Sequence, residues 1–169
     1  MDLCDQVDWS AVECLNQQPD HAIANALKQG YREDDGLYLE SDTDEQLLLH
    51  ITFQQAVKLN SLLIKSSGTG DQAPKSIKLF CNRQSLGFSE AADFAAVQEF
   101  DLTPEQLDGK PVTLRFVKFQ SVNTLSIFVE SNQGDAETTI IQKIALQGSM
   151  GQTMNVSDIK KAGEEEEKS

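Results

Sequence analysis

The sequence predicts a mainly β protein, an antiparallel β-sandwich or jelly roll with short N-terminal helices. About seven or eight stretches of the chain are rich in β-branched and aromatic residues and are separated by turn residues at fairly regular intervals. Helical patterning is confined mainly to residues 8–29. No run approaches the roughly 18 apolar residues that a membrane helix needs.

Residues 8–29 are predicted to form two short helices. Ser10 and Glu13 have the spacing of a capping box, which marks the start of the first helix. The second helix would place three apolar residues on one face: Ile23, Ala26 and Leu27. Residues 1–9 are predicted to be an N-terminal extension that precedes the domain.

The middle of the chain is predicted to be a series of strands. The predicted strands are residues 47–53, 57–64, 76–81, 97–102 and 138–146. His50 falls within the first of them and is predicted to be a packed or hydrogen-bonded strand residue. Thr103-Pro104-Glu105-Gln106 predicts a one-turn helix, because Thr103 can cap it and Gln106 completes a capping box.

Residues 111–130, PVTLRFVKFQSVNTLSIFVE, have the clearest strand pattern in the chain. Two alternating apolar sets flank a polar break: Val112, Leu114 and Phe116, then Leu125, Ile127 and Val129. Because alternate side chains of a strand point to opposite faces, these runs predict a β-hairpin with a short polar loop. Phe128 on the opposite face predicts that the strands are covered on both sides.

The net charge is −13, and its distribution indicates the kind of partner. Residues 1–20 hold five carboxylates and residues 33–45 hold seven, with no Lys or Arg in either segment. This excess of negative charge would repel phosphate backbones and anionic membranes, so neither nucleic acid nor membrane is expected as a partner. A basic protein surface would be electrostatically suitable.

The segment around residues 31–45 is the predicted partner-binding site. Its residues are Tyr31, Arg32, Asp34, Asp35, Asp42, Asp44 and Glu45. Asp42, Asp44 and Glu45 are expected on one exposed rim. A calcium site is disfavoured, because the spacing does not match an EF-hand loop. The remaining alternative is a solvated acidic surface without a partner.

The sequence contains no recognisable catalytic, cofactor or metal motif. Its only histidines, His21 and His50, lack zinc-finger spacing, and no GxSxG nucleophile elbow occurs. Cys4, Cys14 and Cys81 form no CxxC pair, which predicts three free thiols in the cytosol or nucleus. A reactive thiol is the enzymatic alternative, although the aspartates around Cys4 should disfavour its thiolate.

Three segments resemble blocks of the PITH domain, a proteasome-interacting module of certain thioredoxin-like proteins. They are FVKFQSVNTLSIFVESNQGDAETTII (116–141), ESDTDEQLLLHITF (40–53) and KSIKLF (75–80). The resemblance covers roughly residues 10–155 in the same order. It implies a galactose-binding-like jelly roll and a non-catalytic role in binding the 26S proteasome or associated complexes.

The chain departs from the thioredoxin-linked members because it contains no Cys-Gly-Pro-Cys motif. We therefore expect a monomeric, stand-alone member without a thioredoxin domain and without reductase activity. The expected PITH-like domain spans residues 10–157, and residues 158–169 are expected to form a disordered charged tail. The alternative function is a small-ligand or carbohydrate-binding module, because sandwiches of this kind host many such sites.

Overall fold

A computed structural model describes residues 2–27 and 36–150. The helices are α1 (Ile23–Leu27), α2 (Phe88–Asp93) and α3 (Pro104–Leu107). The strands are β1 (Glu13–Leu15), β2 (Leu39–Glu40), β3 (Leu47–Lys65), β4 (Ser76–Cys81), β5 (Gln98–Asp101), β6 (Val112–Thr113), β7 (Val122–Val129), β8 (Ile140–Ile141) and β9 (Lys143–Met150). Short 3-10 turns lie at Cys4–Gln6, Gly70–Gln72 and Phe116–Lys118. No helix in these two ranges is long and apolar enough to cross a bilayer.

The long strand β3 belongs to both layers of an antiparallel β-sandwich. Its first part pairs with β1 and β7, and its second part pairs with β9 and β6. Register shifts after Thr52 and after Leu59 mark where the strand bends from one layer to the other. The two predicted strands at 47–53 and 57–64 are thus one bent strand, and the predicted fold class is confirmed.

The bend in β3 gives the sandwich two distinct ends. At one end Leu47 lies opposite Val129, and Ser66, just after β3, bonds the backbone of Ile140. We call this the rim end; it contains residues 41–46, 66–70 and 130–139. At the other end Val57 pairs with Val122. We call this the turn end; it contains residues 82–83, 94–98 and 113–123.

The main core lies between the two layers. Leu49 and Ile51 of β3 and Leu125 of β7 are fully buried there, as the alternating pattern predicts. Strand β9 passes close to β3 where Gly148 pairs with Leu59. A Cβ on Gly148 would overlap the carbonyl oxygen of Lys58, so only glycine fits this crossing without a backbone shift.

A second, smaller core covers the outer face of the sheet. It consists of Leu48, Phe80, Leu86, Ala91 and Phe128. Both faces of β7 are therefore buried, as the sequence predicts for a central strand.

His50 lies beside the second core as a hydrogen-bonded strand residue. Its Nε2 lies 3.1 Å from the carbonyl oxygen of Leu86, which can only accept a hydrogen bond. In the neutral ring Nδ1 is then the acceptor, and the Ser126 hydroxyl donates to it at 2.7 Å.

The predicted hairpin at residues 111–130 is wrong. β6 pairs with Ser61 and Leu62 of β3, and β7 lies between β3 and β4. The connection between them forms the 3-10 turn Phe116–Lys118, which leaves Phe116 exposed to solvent. Alternation predicts an extended chain but does not identify the strand with which it pairs.

The first predicted helix is also wrong, whereas the second is confirmed. Ser10 does not cap a helix with Glu13 but binds the Asp8 carboxylate, and β1 pairs with β3. In α1 the three predicted apolar residues are buried: Ile23, Ala26 and Leu27. The α3 capping box between Thr103 and Gln106 forms as predicted.

The predicted N-terminal extension contributes two residues to the main core. Leu3 and Val7 are buried in the main core, and the Leu3 N–H donates to the carbonyl of Leu146. The predicted tail at 158–169 lies outside the described residues.

Candidate functional site: an acidic rim

An open depression at the rim end brings acidic side chains from two distant segments together. It measures about 420 Å³ and is lined by Asp42, Thr43, Asp44, Glu45, Glu137 and Thr138. Four of these six residues carry carboxylates, and none is Lys or Arg. We call this surface the acidic rim. Asp42, Asp44 and Glu137 are exposed, whereas Glu45 is partly buried.

Asn16 organises one side of the acidic rim. This residue follows β1 with φ 72°, a left-handed conformation that Asn tolerates better than most residues. Its side-chain amide donates to Asp44 Oδ1 at 2.8 Å and to the carbonyl of Gln46 at 2.7 Å. Its oxygen accepts from the N–H and hydroxyl of Thr43 at 3.1 and 2.9 Å. The Asn16 side chain therefore holds the loop at Thr43, Asp44 and Gln46.

Buried polar groups hold the other side of the acidic rim. Thr139 is fully buried; its hydroxyl donates to the carbonyl of Glu45 at 2.6 Å, and its N–H donates to Ser41 Oγ at 2.8 Å. Asn132 accepts from the N–H of Ala136 at 3.0 Å and donates to the carbonyl of that residue at 2.9 Å. Such satisfied buried networks fix a loop in one conformation.

The acidic rim presents an excess of negative charge to solvent. The exposed carboxylates have no lining cation to neutralise them, so their field is directed to solvent. In the described part of the chain, no group of three or more His, Cys, Asp or Glu side chains is arranged to hold a metal ion.

The structure places three of the predicted partner-binding residues together: Asp42, Asp44 and Glu45. Tyr31, Arg32, Asp34 and Asp35 lie outside the described residues. The sequence reasoning missed Asn16 and Glu137. Glu137 follows a recognisable turn sequence, but nothing in the sequence indicates that it meets a loop more than 90 residues earlier.

A second depression lies near the acidic rim. It measures about 560 Å³, and its floor includes Ser66, Ala73 and Leu107. No aromatic residue is among its ten lining residues in the described part of the chain. It therefore lacks the stacking platform that sugar sites usually use.

None of the three cysteines forms a disulfide bond. Burial raises the pKa of Cys14 to about 12, with a smaller contribution from the Glu13 carboxylate. Burial alone raises the pKa of Cys81 to about 11. At neutral pH both groups are protonated, and a protonated thiol is a poor nucleophile.

We expect iodoacetamide to alkylate Cys14 and Cys81 at pH 7.5 at least about 100-fold more slowly in the folded protein than in the unfolded chain. Mass spectrometry of the peptide that contains each cysteine measures the two rates. The contribution of these two thiols to stability should be fully present below pH 9 and be lost as the pH rises from 9 towards 12, because the unfolded thiols ionise first. A Cys14→Ala/Cys81→Ala variant should show a smaller alkaline loss. Rapid modification of either native thiol would contradict the assignment.

Solved structures place the architecture in a known class. A family 32 carbohydrate-binding module from Clostridium perfringens NanJ, solved with galactose, aligns with a TM-score of 0.58 at 11% identity, over 80% of this chain and 91% of that one. A Ruminococcus gnavus GH29 fucosidase aligns with a TM-score of 0.62 at 12% identity, over 89% of this chain and 27% of that one. The fold is therefore a galactose-binding-like β-sandwich.

Sequence comparison then identifies the family. The PITH domain model matches residues 1–164, so this chain belongs to the PITH domain family. It is 43% identical to thioredoxin-like protein 1 of Schizosaccharomyces pombe over 81% of this chain and 47% of that protein. It is 35% identical to PITH domain-containing protein CG6153 of Drosophila melanogaster over 85% and 67%.

The chain thus spans about half the length of the S. pombe relative and two thirds of that of the fly relative. The predicted family is confirmed, whereas the stand-alone organisation, the boundaries at residues 10 and 157 and the monomeric state stay predictions.

Proposed function

We propose that this protein is a non-catalytic protein-interaction module that associates with the 26S proteasome, or with complexes bound to it, in the cytosol or nucleus. The observation that carries the proposal is the acidic rim, where four carboxylates line one depression with no Lys or Arg among its six lining residues. Membership of the PITH family supports the choice of partner, because the family resemblance implies proteasome association.

The described side chains favour recognition over catalysis. His50 is committed to Ser126 and to the Leu86 carbonyl within the sheet. The ring of His21 stacks on Tyr38, with centroids 4.1 Å apart. With Cys14 protonated as well, these groups supply no activated nucleophile.

The acidic rim would act mainly on the rate of encounter with a partner. Exposed charges at an interface steer association and select against like-charged surfaces, whereas they add less to the lifetime of the complex. Their contribution is screened by salt, because the Debye length falls from about 10 Å at 0.1 M to about 3 Å at 1 M.

Charge reversal tests this role. We expect Asp42→Lys/Glu137→Lys to reduce the association rate constant with purified 26S proteasome about tenfold at 50 mM salt, measured by biolayer interferometry. The difference from the parent protein should shrink at 500 mM salt. Asp44 is left unchanged, because its carboxylate accepts from Asn16 and from the Gln46 N–H.

The matched control is Glu99→Lys/Glu105→Lys, which changes the charge equally at exposed positions outside the acidic rim. An equal loss of binding in both variants would show a general charge effect and contradict a specific rim. If the parent protein does not bind purified proteasome at any salt concentration, the proteasome assignment is wrong.

The second candidate function is binding of a small ligand or carbohydrate. The observation that favours it is the 560 Å³ depression in a fold shared with galactose-binding modules. Titration with galactose, N-acetylgalactosamine and fucose, followed by amide chemical shifts, separates the two functions. Shifts confined to residues 66–73 and 104–108 would favour the carbohydrate function.

A further inference from the structure

The exposed apolar side chains are concentrated at the turn end. Among the described residues, four large hydrophobic side chains are exposed: Leu37 at 39%, Phe94 at 41%, Phe116 at 61% and Val117 at 78%. Three of these four lie at the turn end, opposite the acidic rim. A group of this kind on an otherwise polar surface marks an interaction site more often than isolated exposed residues do.

Hydrogen bonds tie the segments of the turn end to one another. The Gln98 side chain donates to the carbonyl of Thr113 at 3.2 Å and accepts from the N–H of Arg115 at 2.8 Å. The Asn82 side chain donates to the carbonyl of Ser121 at 3.1 Å and accepts from the N–H of Asn123 at 2.7 Å. Hydrogen bonds between these segments thus hold the backbone that carries the exposed residues.

The 3-10 turn directs one aromatic ring inward and another outward. Phe119 is fully buried, and its carbonyl accepts from the N–H of Leu59 at 2.9 Å. Phe116 and Val117, in the same turn, remain exposed although Phe119 anchors the segment. Packing of the domain therefore does not account for their apolar character.

The charges at the turn end have the opposite sign to those of the acidic rim. The Arg83 guanidinium lies 5.0 Å from the centroid of the Phe94 ring, and Arg115 and Lys118 flank the exposed pair. No carboxylate occurs between Asp71 and Glu90 or between Asp108 and Glu130, in a chain of net charge −13. Asp93, beside Phe94, and Glu99 are the nearest carboxylates along the α2–β5 segment.

We propose that the turn end is a docking surface for an acidic polypeptide segment of a partner protein that carries an apolar side chain. Phe116, Val117 and Phe94 would receive the apolar group, while Arg83, Arg115 and Lys118 would bind the flanking carboxylates. Aromatic residues and arginine are the types enriched where interfaces concentrate their binding energy. A phosphate backbone does not fit, because three cations on a chain of net charge −13 give too little attraction.

This surface is distinct from the acidic rim, which favours a basic partner. A domain with one acidic end and one apolar and basic end can hold two partners of opposite charge at the same time. The protein would then act as a bridge as well as a docking module.

Peptide selection tests the proposal with a defined probe. A phage-displayed library of random 12-residue peptides is selected on the full chain, with counter-selection on Phe116→Ser/Val117→Ser. We expect the enriched peptides to combine Glu or Asp with an aromatic or aliphatic residue. Enrichment of basic or uncharged peptides, or no enrichment that depends on these two residues, would overturn the proposal.

An enriched peptide is then synthesised with a fluorophore and titrated by fluorescence anisotropy. Phe116→Ser/Val117→Ser and Arg115→Glu/Lys118→Glu should each weaken its affinity at least tenfold. The control Lys75→Glu/Lys110→Glu makes the same charge change at exposed positions outside the turn end and should alter the affinity less than twofold. Equal loss in the control would contradict the proposed surface.

Two further variants test whether the turn end acts independently of the acidic rim and whether another part of this chain occupies it. Asp42→Lys/Glu137→Lys should leave peptide affinity unchanged, so that failure of the acidic rim and failure of the turn end are distinguishable. If removal of residues 151–169 raises peptide affinity about tenfold or more, the acidic end of this chain occupies the turn end in the full chain, which overturns a partner segment as its occupant. Circular dichroism of each variant confirms that it folds.

Discussion

Replacing Phe128 with alanine is expected to lower the free energy of unfolding by about 3–5 kcal/mol. Phe128 is fully buried and packs in the second core, where the Phe88 ring meets it edge-on with centroids 6.1 Å apart. Removing the ring loses its transfer free energy and leaves a cavity that strand β7, paired on both sides, cannot relax to fill. Domains of this size have a total stability of about 5–15 kcal/mol, so the loss is a large fraction of the total.

Urea unfolding followed by circular dichroism measures this effect. Phe128→Leu retains most of the side-chain volume and should lose about half as much stability or less. Phe116→Ala is the control for removing an aromatic ring from an exposed position and should change stability by less than about 0.5 kcal/mol. If Phe128→Ala and Phe116→Ala have equal effects, the second core does not contribute to stability as the packing indicates.

Replacing Asn16 with alanine is expected to destabilise the protein by about 2–4 kcal/mol. The substitution removes the bonds to Asp44, Gln46 and Thr43, and it forces alanine into the left-handed region. It should also weaken binding at the acidic rim, because the loop that carries Asp42 loses its anchor.

Asn16→Gly separates the contribution of the side-chain hydrogen bonds from the cost of the left-handed backbone conformation. Glycine adopts a φ of 72° without strain but makes none of the side-chain bonds, so this variant should be about 1 kcal/mol more stable than Asn16→Ala. Both free energies come from urea unfolding at pH 7. A variant at Asn16 that retains full stability and full partner binding would show that the bonds do not organise the acidic rim.

The two surfaces lie at opposite ends of the same central strand. The acidic rim lies beyond Val129 at the end of β7, and the turn end lies before Val122 at its beginning. Residues 125–129 of β7 are fully buried, so the strand that separates the two surfaces is packed on both faces. A change in the sheet, such as Phe128→Ala, should therefore weaken binding at both ends, whereas loop variants should affect one.

Much of the fold was predictable from local patterns. Apolar residues with a period of two identified the buried face of β3, including Leu49 and Ile51. The capping box of α3 depends only on residues 103–106, so its formation needs no tertiary information. The acidic character of residues 42–45 was also visible, because charge on a loop is not masked by packing.

The wrong predictions arose where the pairing partner decides the structure. Residues 13–15 extend because β3 offers a free edge at Leu48 to His50, and nothing local requires this. β6 was predicted to pair with the next strand along the chain, but it pairs with Ser61 and Leu62 of β3. Sequence proximity was misleading because hydrogen bonding between strands does not depend on separation along the chain.

By itself, the sequence determined the β-rich class, the burial of residues such as Leu49 in β3 and Leu125 in β7, the family and the negative charge. Only the tertiary structure decided that Asn16 and Glu137 join the acidic rim, and that Phe116 and Val117 face solvent although they fit a strand pattern. The physical reason is that periodicity reports the local backbone conformation. A surface is made from the segments that the pairing of distant strands brings together.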